Sequence, residues 1–101
     1  MAAFVYILTN YHKTLLYTGS TVNLSLRIQQ HTNGKFPGFS QKYKCHYLVY
    51  YEKYDDINLA ISRERKVKKW SRKKKNQLIS NINPEWKFLN KTIHQLKKED
   101  L

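Results

Sequence analysis

The run Phe4-Val5-Tyr6-Ile7-Leu8 is wholly apolar, aromatic or β-branched. A second such run, Leu15-Leu16-Tyr17-Thr18-Gly19, follows a polar stretch at Asn10-Tyr11-His12-Lys13. Two strand-like runs around a polar turn predict a β-hairpin. With those four residues as the turn, Thr9 faces Thr14, Leu8 faces Leu15 and Tyr6 faces Tyr17, which makes the two tyrosines a cross-strand pair on one face. A turn at Gly19-Ser20-Thr21, with Asn23 or Thr21 as cap, then opens a helix that runs to Asn33-Gly34. Leu24 and Ile28 define its apolar stripe. At about 100° per residue, His31 points about 20° from Leu24 and Arg27 lies at the stripe's edge. Both polar residues therefore lean toward whatever this helix packs against.

An irregular loop, Lys35-Phe36-Pro37-Gly38-Phe39, precedes a third strand around Tyr47-Leu48-Val49-Tyr50-Tyr51. Asp55 or Asp56 caps a second helix over about residues 57–69. A third helix follows Ser71 and stops near Asn83-Pro84, because proline disfavours helix at the residue before it. From Lys87 to Leu101, Phe88, Ile93 and Leu96 keep a helical period within a polar remainder, so the tail is either a packed helix or frayed. The order strand–strand–helix–strand–helix–helix predicts a small mixed α/β (α+β) domain built on an antiparallel hairpin.

A length of 101 residues argues for one domain with a modest core, and 41% hydrophobic with 14% aromatic residues is enough to fold it. Nineteen Lys and Arg against seven Asp and Glu leave a charge of +12. Such a body repels itself and attracts polyanions. Nucleic acid is the leading partner class and an anionic membrane surface the runner-up, while a solvated lysine-rich surface would give the same composition. Cys45 is the single cysteine, so no intramolecular disulfide or paired-thiolate metal site is expected. No signal-peptide pattern precedes the first apolar run, and no apolar stretch approaches the ~20 residues that span a bilayer. These features predict a reducing interior, cytoplasmic or nucleoid-associated.

The second helix holds an anomaly. Ile57, Ala60, Ile61 and Val67 form its apolar face, and Glu64 falls near the middle of it. A lone carboxylate there costs several kcal/mol unless it finds a partner, a proton or a metal ion. Two readings follow: a salt bridge to Arg27 or Lys68, or a Mg²⁺ ligand, since Mg²⁺ favours one or two carboxylates with waters and phosphate oxygens. Around Glu64 the chain is densely basic. Arg63, Arg65, Lys66, Lys68, Lys69, Arg72, Lys73, Lys74 and Lys75 make nine of thirteen residues, with Trp70 among them to pack in the core or stack on a base. Like charges at helical spacing repel, and phosphate binding would relieve them. A lipid-surface role would call for more large apolar anchors than the segment has.

Phe4-Val5-Tyr6, Tyr17-Thr18-Gly19, Arg27, His31 and a helical Glu64 together resemble the GIY-YIG nuclease family over about residues 3–86. Asn83-Pro84-Glu85-Trp86 also resembles the closing motif of small stand-alone members. The resemblance implies a three-stranded antiparallel sheet flanked by helices, with residues 1–86 as the nuclease domain and 87–101 as a tail. It implies cleavage of DNA phosphodiesters with one divalent ion, Mg²⁺ or Mn²⁺. Position by position, it assigns Glu64 to the metal, Arg27 to the scissile phosphate, and Tyr6 and Tyr17 to positioning or deprotonating the attacking water. His31 matches a histidine of part of the family, there linked to proton transfer, and Asn83 matches a late asparagine.

Two positions depart from the pattern. Phe4 stands where the name-giving glycine would be, and Ser20 where the excision-repair branch has lysine; Lys42 or Lys68 is left to take that lysine's part. Lys66, Lys68, Lys69, Arg72, Lys73, Lys74 and Lys75 are the expected DNA-binding face. The expected activity is a Mg²⁺-dependent endonuclease in DNA repair, recombination or processing, with specificity low or supplied by a protein partner and with no membrane. The rival is a non-catalytic nucleic-acid-binding module on the same fold.

Overall fold

The computed structural model describes residues 2–35 and 38–95; Phe36 and Pro37 of the expected loop, and Leu96 with the rest of the tail to residue 101, lie outside the described residues. Its central strand is β1 (Ala3–Thr9), buried along its whole length. A strand covered on both faces must be apolar at nearly every position, which is why its sequence runs continuously rather than alternating. β2 (Leu16–Thr21) and β3 (Tyr47–Tyr54) pair antiparallel on either side of it, in the order β2-β1-β3.

Two helical layers cover the sheet. Phe4, Tyr6 and Leu8 pack with Leu24 and Ile28 of α1 (Leu24–Thr32), with Leu48, and with Ile93 of α5 (Asn90–Gln95). On the other face Ile7 packs with Val67 of α3 (Ile57–Lys68) and Ile79 of α4 (Arg72–Ile82), while Ala3 and Val5 meet Ala60. A bulge in the β1–β3 ladder pairs Ile7 with Tyr50 but Leu8 with Leu48. It leaves Val49 and Tyr50 in the same cluster although they are consecutive. The three long helices begin at side-chain caps: Asn23 accepts from Leu26 N–H, Asp56 from Leu59 N–H and Ser71 from Lys74 N–H. Among the described residues no helix is long and apolar enough to cross a membrane.

The expected order holds with one addition. A short helix, α2 (Phe39–Lys42), occupies the end of the expected irregular loop. Four residues make about one turn, too short for hydrophobic periodicity to reveal. Gly38, at a φ of 107°, leads into it.

The hairpin register requires a correction. Tyr6 lies opposite Gly19, and Tyr17 opposite Leu8, rather than the tyrosines opposite each other. The connecting loop is residues 10–15, and its hydrogen bonds account for the length. Asn10 Oδ1 accepts from Thr14 N–H at 2.9 Å and Leu15 N–H at 3.0 Å, and Thr9 Oγ1 donates to Leu15 O at 2.8 Å. A four-residue turn would forfeit these bonds. The slip is even-numbered, so both tyrosines keep their face and become diagonal neighbours, ring centroids 6.4 Å apart. Gly19-Ser20-Thr21 likewise belongs to β2 and not to a turn, pairing with Tyr6, Val5 and Phe4.

Candidate active site

Three elements converge on two residues of β2. Gly19 lies beneath the Tyr6 ring so closely that a Cβ there would stand 2.4 Å from Tyr6 Oη. The glycine of Tyr17-Thr18-Gly19 is therefore the space that a buried tyrosine on β1 occupies. One residue on, the Ser20 carbonyl accepts a 3.4 Å bond from the Arg27 guanidinium on α1. The Ser20 hydroxyl, pointing to the other side of the strand, donates a short hydrogen bond to Glu64 Oε1 on α3. Glu64 Oε2 pairs with Lys68 Nζ at 2.6 Å, one turn along the same helix.

Behind this edge lies a buried polar line. Tyr6 Oη stands 3.0 Å from His31 Nε2, and His31 Nδ1 stands 2.6 Å from Ser40 Oγ. Tyr6, His31 and Ser40 are all fully buried. Tyr17 closes the cluster, its ring centroid 5.2 Å from that of His31.

Burial sets the protonation states. It pushes the Tyr6 hydroxyl far above the ordinary phenol range, and neighbouring Tyr17 adds to the rise, against the hydrogen bond and charge of Arg27. Burial also raises Tyr17, with Lys68 pulling down and Glu64 up. His31 is held down to about 4, by burial first and then by Arg27 and His46. At neutral pH both tyrosines are therefore phenols and His31 is a neutral imidazole with one ring N–H. Tyr6 Oη and Ser40 Oγ thus sit on the two ring nitrogens of a neutral imidazole, one of which carries the proton.

The other expected residues divide sharply. The salt-bridge partner of Glu64 is Lys68, and not Arg27. Lys42 lies over the Tyr43 ring at 5.4 Å, so of the two lysines it is Lys68 that acts on Tyr17. Asn83 stands apart from the cluster: its amide donates to Val49 O and Lys87 O at 2.9 Å and accepts from Lys87 N–H at 3.0 Å. Those bonds tie the end of α4 to β3, a structural use that its late position in the chain did not signal.

Within the basic run, Lys66, Lys68, Lys69, Arg72, Lys73 and Lys74 are exposed and Lys75 partly so. Arg72 also grips the hairpin loop through Thr14 O and Lys13 O at 2.8 and 3.0 Å. The Trp70 ring is flanked by Lys74 Nζ at 4.1 Å and the Arg63 guanidinium at 4.8 Å, so it is a shelf for cations. Arg63 itself makes a two-pronged bond to Glu52.

Ser40 is the residue sequence reasoning missed. It lies after the loop in a stretch without hydrophobic period, and only the fold brings it to a histidine nine residues earlier.

The donor set suits a single hard cation. Glu64 offers one partly buried carboxylate beside Ser20 of β2, and no group of three or more His, Cys, Asp or Glu side chains gathers among the described residues. Mg²⁺ characteristically takes one or two carboxylates and fills its remaining positions with waters and phosphate oxygens.

Comparison with known proteins points the same way. The GIY-YIG catalytic domain matches residues 2–77. A UPF0213 protein of Syntrophus aciditrophicus is 42% identical over 83 residues, 81% of this chain and 93% of that one. Another, from Natronomonas pharaonis, is 33% identical over 78 residues, 77% of this chain and 91% of its own. The solution NMR structure of a UPF0213 protein from Bacillus halodurans superimposes with a TM-score of 0.55 and 30% identity, over 96% of this chain and all of that one. The domain match and the shared fold agree with the tyrosine-rich strand edge described above, and the chain belongs to the GIY-YIG family.

Proposed function

We infer that the protein is a metal-dependent endonuclease that hydrolyses DNA phosphodiesters. The observation that carries this reading is the meeting of Tyr6, Arg27 and Glu64, from three separate elements, on Gly19 and Ser20. A cation, a carboxylate and a phenol brought to one strand from three elements, with the carboxylate left to a serine and an exposed lysine, suit chemistry on a phosphate. Residues 1–86 form the nuclease unit in this reading, and 87–101 its tail. The setting is cytoplasmic DNA repair, recombination or processing, with specificity low or supplied by a protein partner.

Glu64 would hold one Mg²⁺ or Mn²⁺ ion, which when bound supplies positive charge against the oxygens of the scissile phosphate. Arg27 binds that phosphate as a fixed cation. Tyr17, at the open side of the pair, orients the attacking water. Tyr6 is a phenol at neutral pH and no base by itself. Neutral His31 holds the Tyr6 hydroxyl in place for proton relay, and Ser40 keeps the ring turned so that Nε2 faces Tyr6. Lys66, Lys68, Lys69, Lys73, Lys74 and Lys75 hold the flanking backbone, and Arg72 adds to them where its loop carbonyls leave an N–H free.

The test is a cleavage panel on nicked, branched and single-stranded DNA with Mg²⁺, Mn²⁺ or EDTA. Cleavage that needs the ion and disappears in Glu64→Ala and Arg27→Ala, with the fold retained by circular dichroism, supports the assignment. DNA binding with no cleavage of any substrate would leave a binding module on this fold.

A further inference from the structure

A second surface lies at the far end of the sheet from Gly19 and Ser20. Tyr11, at the tip of the hairpin loop, is 65% exposed, yet it makes tilted or edge contacts with Tyr47 and Phe88 at 6.0 and 6.1 Å. Tyr47 and Phe88 stack on each other, centroids 4.3 Å apart and planes 23° from parallel. Beneath them is a cleft of about 290 Å³ lined by Thr32, His46, Tyr47, Phe88, Asn90 and Lys91. A cavity of about half that volume accepts benzene, so one aromatic base has room.

Charge says what the occupant is. No lining residue is acidic; Lys91 stands in the wall, Lys13 Nζ lies 5.3 Å over the Phe88 ring, and His12 sits against Tyr11. Aromatic faces bordered by cations suit an unpaired base with its phosphate, because every base has a π-face and every phosphate a charge. The loop is also prepared for the task. The Asn10 side chain binds its backbone twice, Lys13 holds a φ of 61°, and Arg72 reaches from α4 to clamp two of its carbonyls. Little ordering cost remains to be met on binding.

We propose that Tyr11, Tyr47 and Phe88, with Lys13 and Lys91, form a stacking platform for unpaired bases of a single-stranded DNA segment adjoining the cleavage site. From Tyr6 to Thr9, whose partner is Tyr47, the sheet rises by about 10 Å, so one strand of DNA can touch both surfaces. The platform rests on the nuclease reading only for the class of ligand and needs no cleavage.

Binding is measured in EDTA by fluorescence anisotropy on a blunt duplex and on the same duplex carrying a single-stranded tail. The wild-type protein is expected to prefer the tailed duplex by about tenfold, the loss typical of one or two base stacks. Tyr11→Ala, at an exposed position the core does not need, abolishes the preference, and Tyr11→Phe keeps it. Lys91→Ala weakens tail binding and lowers its salt slope by about one unit. Equal affinity of the wild type for the two duplexes, or a preference retained in Tyr11→Ala, overturns the platform while Mg²⁺-dependent cleavage can still stand. A wild type that binds neither duplex likewise overturns the platform, and the cleavage panel with Mg²⁺ then decides the nuclease reading separately.

Discussion

Two carboxylates meet α3 at nearly equal depth, and their surroundings make them different groups. Glu52 on β3 is 15% exposed and Glu64 is 16% exposed, so burial does not separate them. Partners do. Glu52 accepts two bonds from the Arg63 guanidinium at 3.0 and 3.1 Å, one from Tyr50 at 2.5 Å and one from Tyr54 at 2.6 Å. Glu64, the next residue along the helix from Arg63, has a serine hydroxyl and one flexible lysine. Burial alone would raise the Glu52 carboxyl, but the bonds from Arg63, Tyr50 and Tyr54 outweigh it and hold the group below the ordinary range. A saturated carboxylate is a fixed part of the fold, whereas one with a single exposed ammonium partner can exchange that partner for another cation.

The sharpest way to break this contrast is to remove each carboxylate in turn. Glu64→Ala is expected to reduce metal-dependent cleavage by about 10³-fold or more while changing unfolding free energy by less than about 1 kcal/mol. Glu52→Ala should do the reverse. Leaving Arg63 and two tyrosine hydroxyls without their acceptor should lower stability by about 3 kcal/mol in urea titration, with cleavage retained at temperatures where the variant is folded. If Glu52→Ala lost activity in a stably folded protein, or Glu64→Ala unfolded it, saturation would not be what distinguishes the two sites.

The contrast also marks what the chain's pattern could reveal. Glu64 and His31 stood out because each is a polar residue inside an apolar stripe, and a helix turns its residues at a fixed angle whatever packs on it. Tyr6 and Tyr17 were placed on one face because alternation along a strand survives a slip of two residues. The register itself was not legible, since it depends on how the Asn10 side chain binds the loop backbone. Arg63 read as one more surface cation because its acceptor lies on a strand eleven residues earlier, a pairing that only the packing of α3 on β3 creates. Ser40 was invisible for the same reason.

Acid should separate the two regions by pH window. His31 is depressed to about 4 in the folded chain, against about 6.5 unfolded, so between those values only the unfolded state takes up the proton. Stability is therefore full above about pH 6.5 and falls by about 2 to 3 kcal/mol as the pH approaches 4. Glu52, lowered in the folded state, contributes stability that is present above its unfolded value of 4.5 and is lost only at more acid pH. Urea midpoints of the wild type should thus decline in two stages, and His31→Gln should flatten the first without touching the second.

The smallest expected effect tests Lys68. Its ammonium is 52% exposed and sits one turn from Glu64, the geometry of a surface pair even though its partner is largely covered. Such pairs are screened by water and contribute below about 0.5 kcal/mol, so Lys68→Ala should leave the urea midpoint nearly unchanged. Its effect should appear in function and with two signs. Freed of a competing cation, Glu64 should bind Mn²⁺ a few-fold more tightly, as read by the paramagnetic broadening of water protons. Tyr17 loses the charge that pulls its hydroxyl down, so the pH at which it ionises, read by tyrosinate absorbance, should move higher. A destabilised Lys68→Ala with unaltered Mn²⁺ affinity would mean that Glu64 is held as firmly as Glu52, with the lysine as part of the fold.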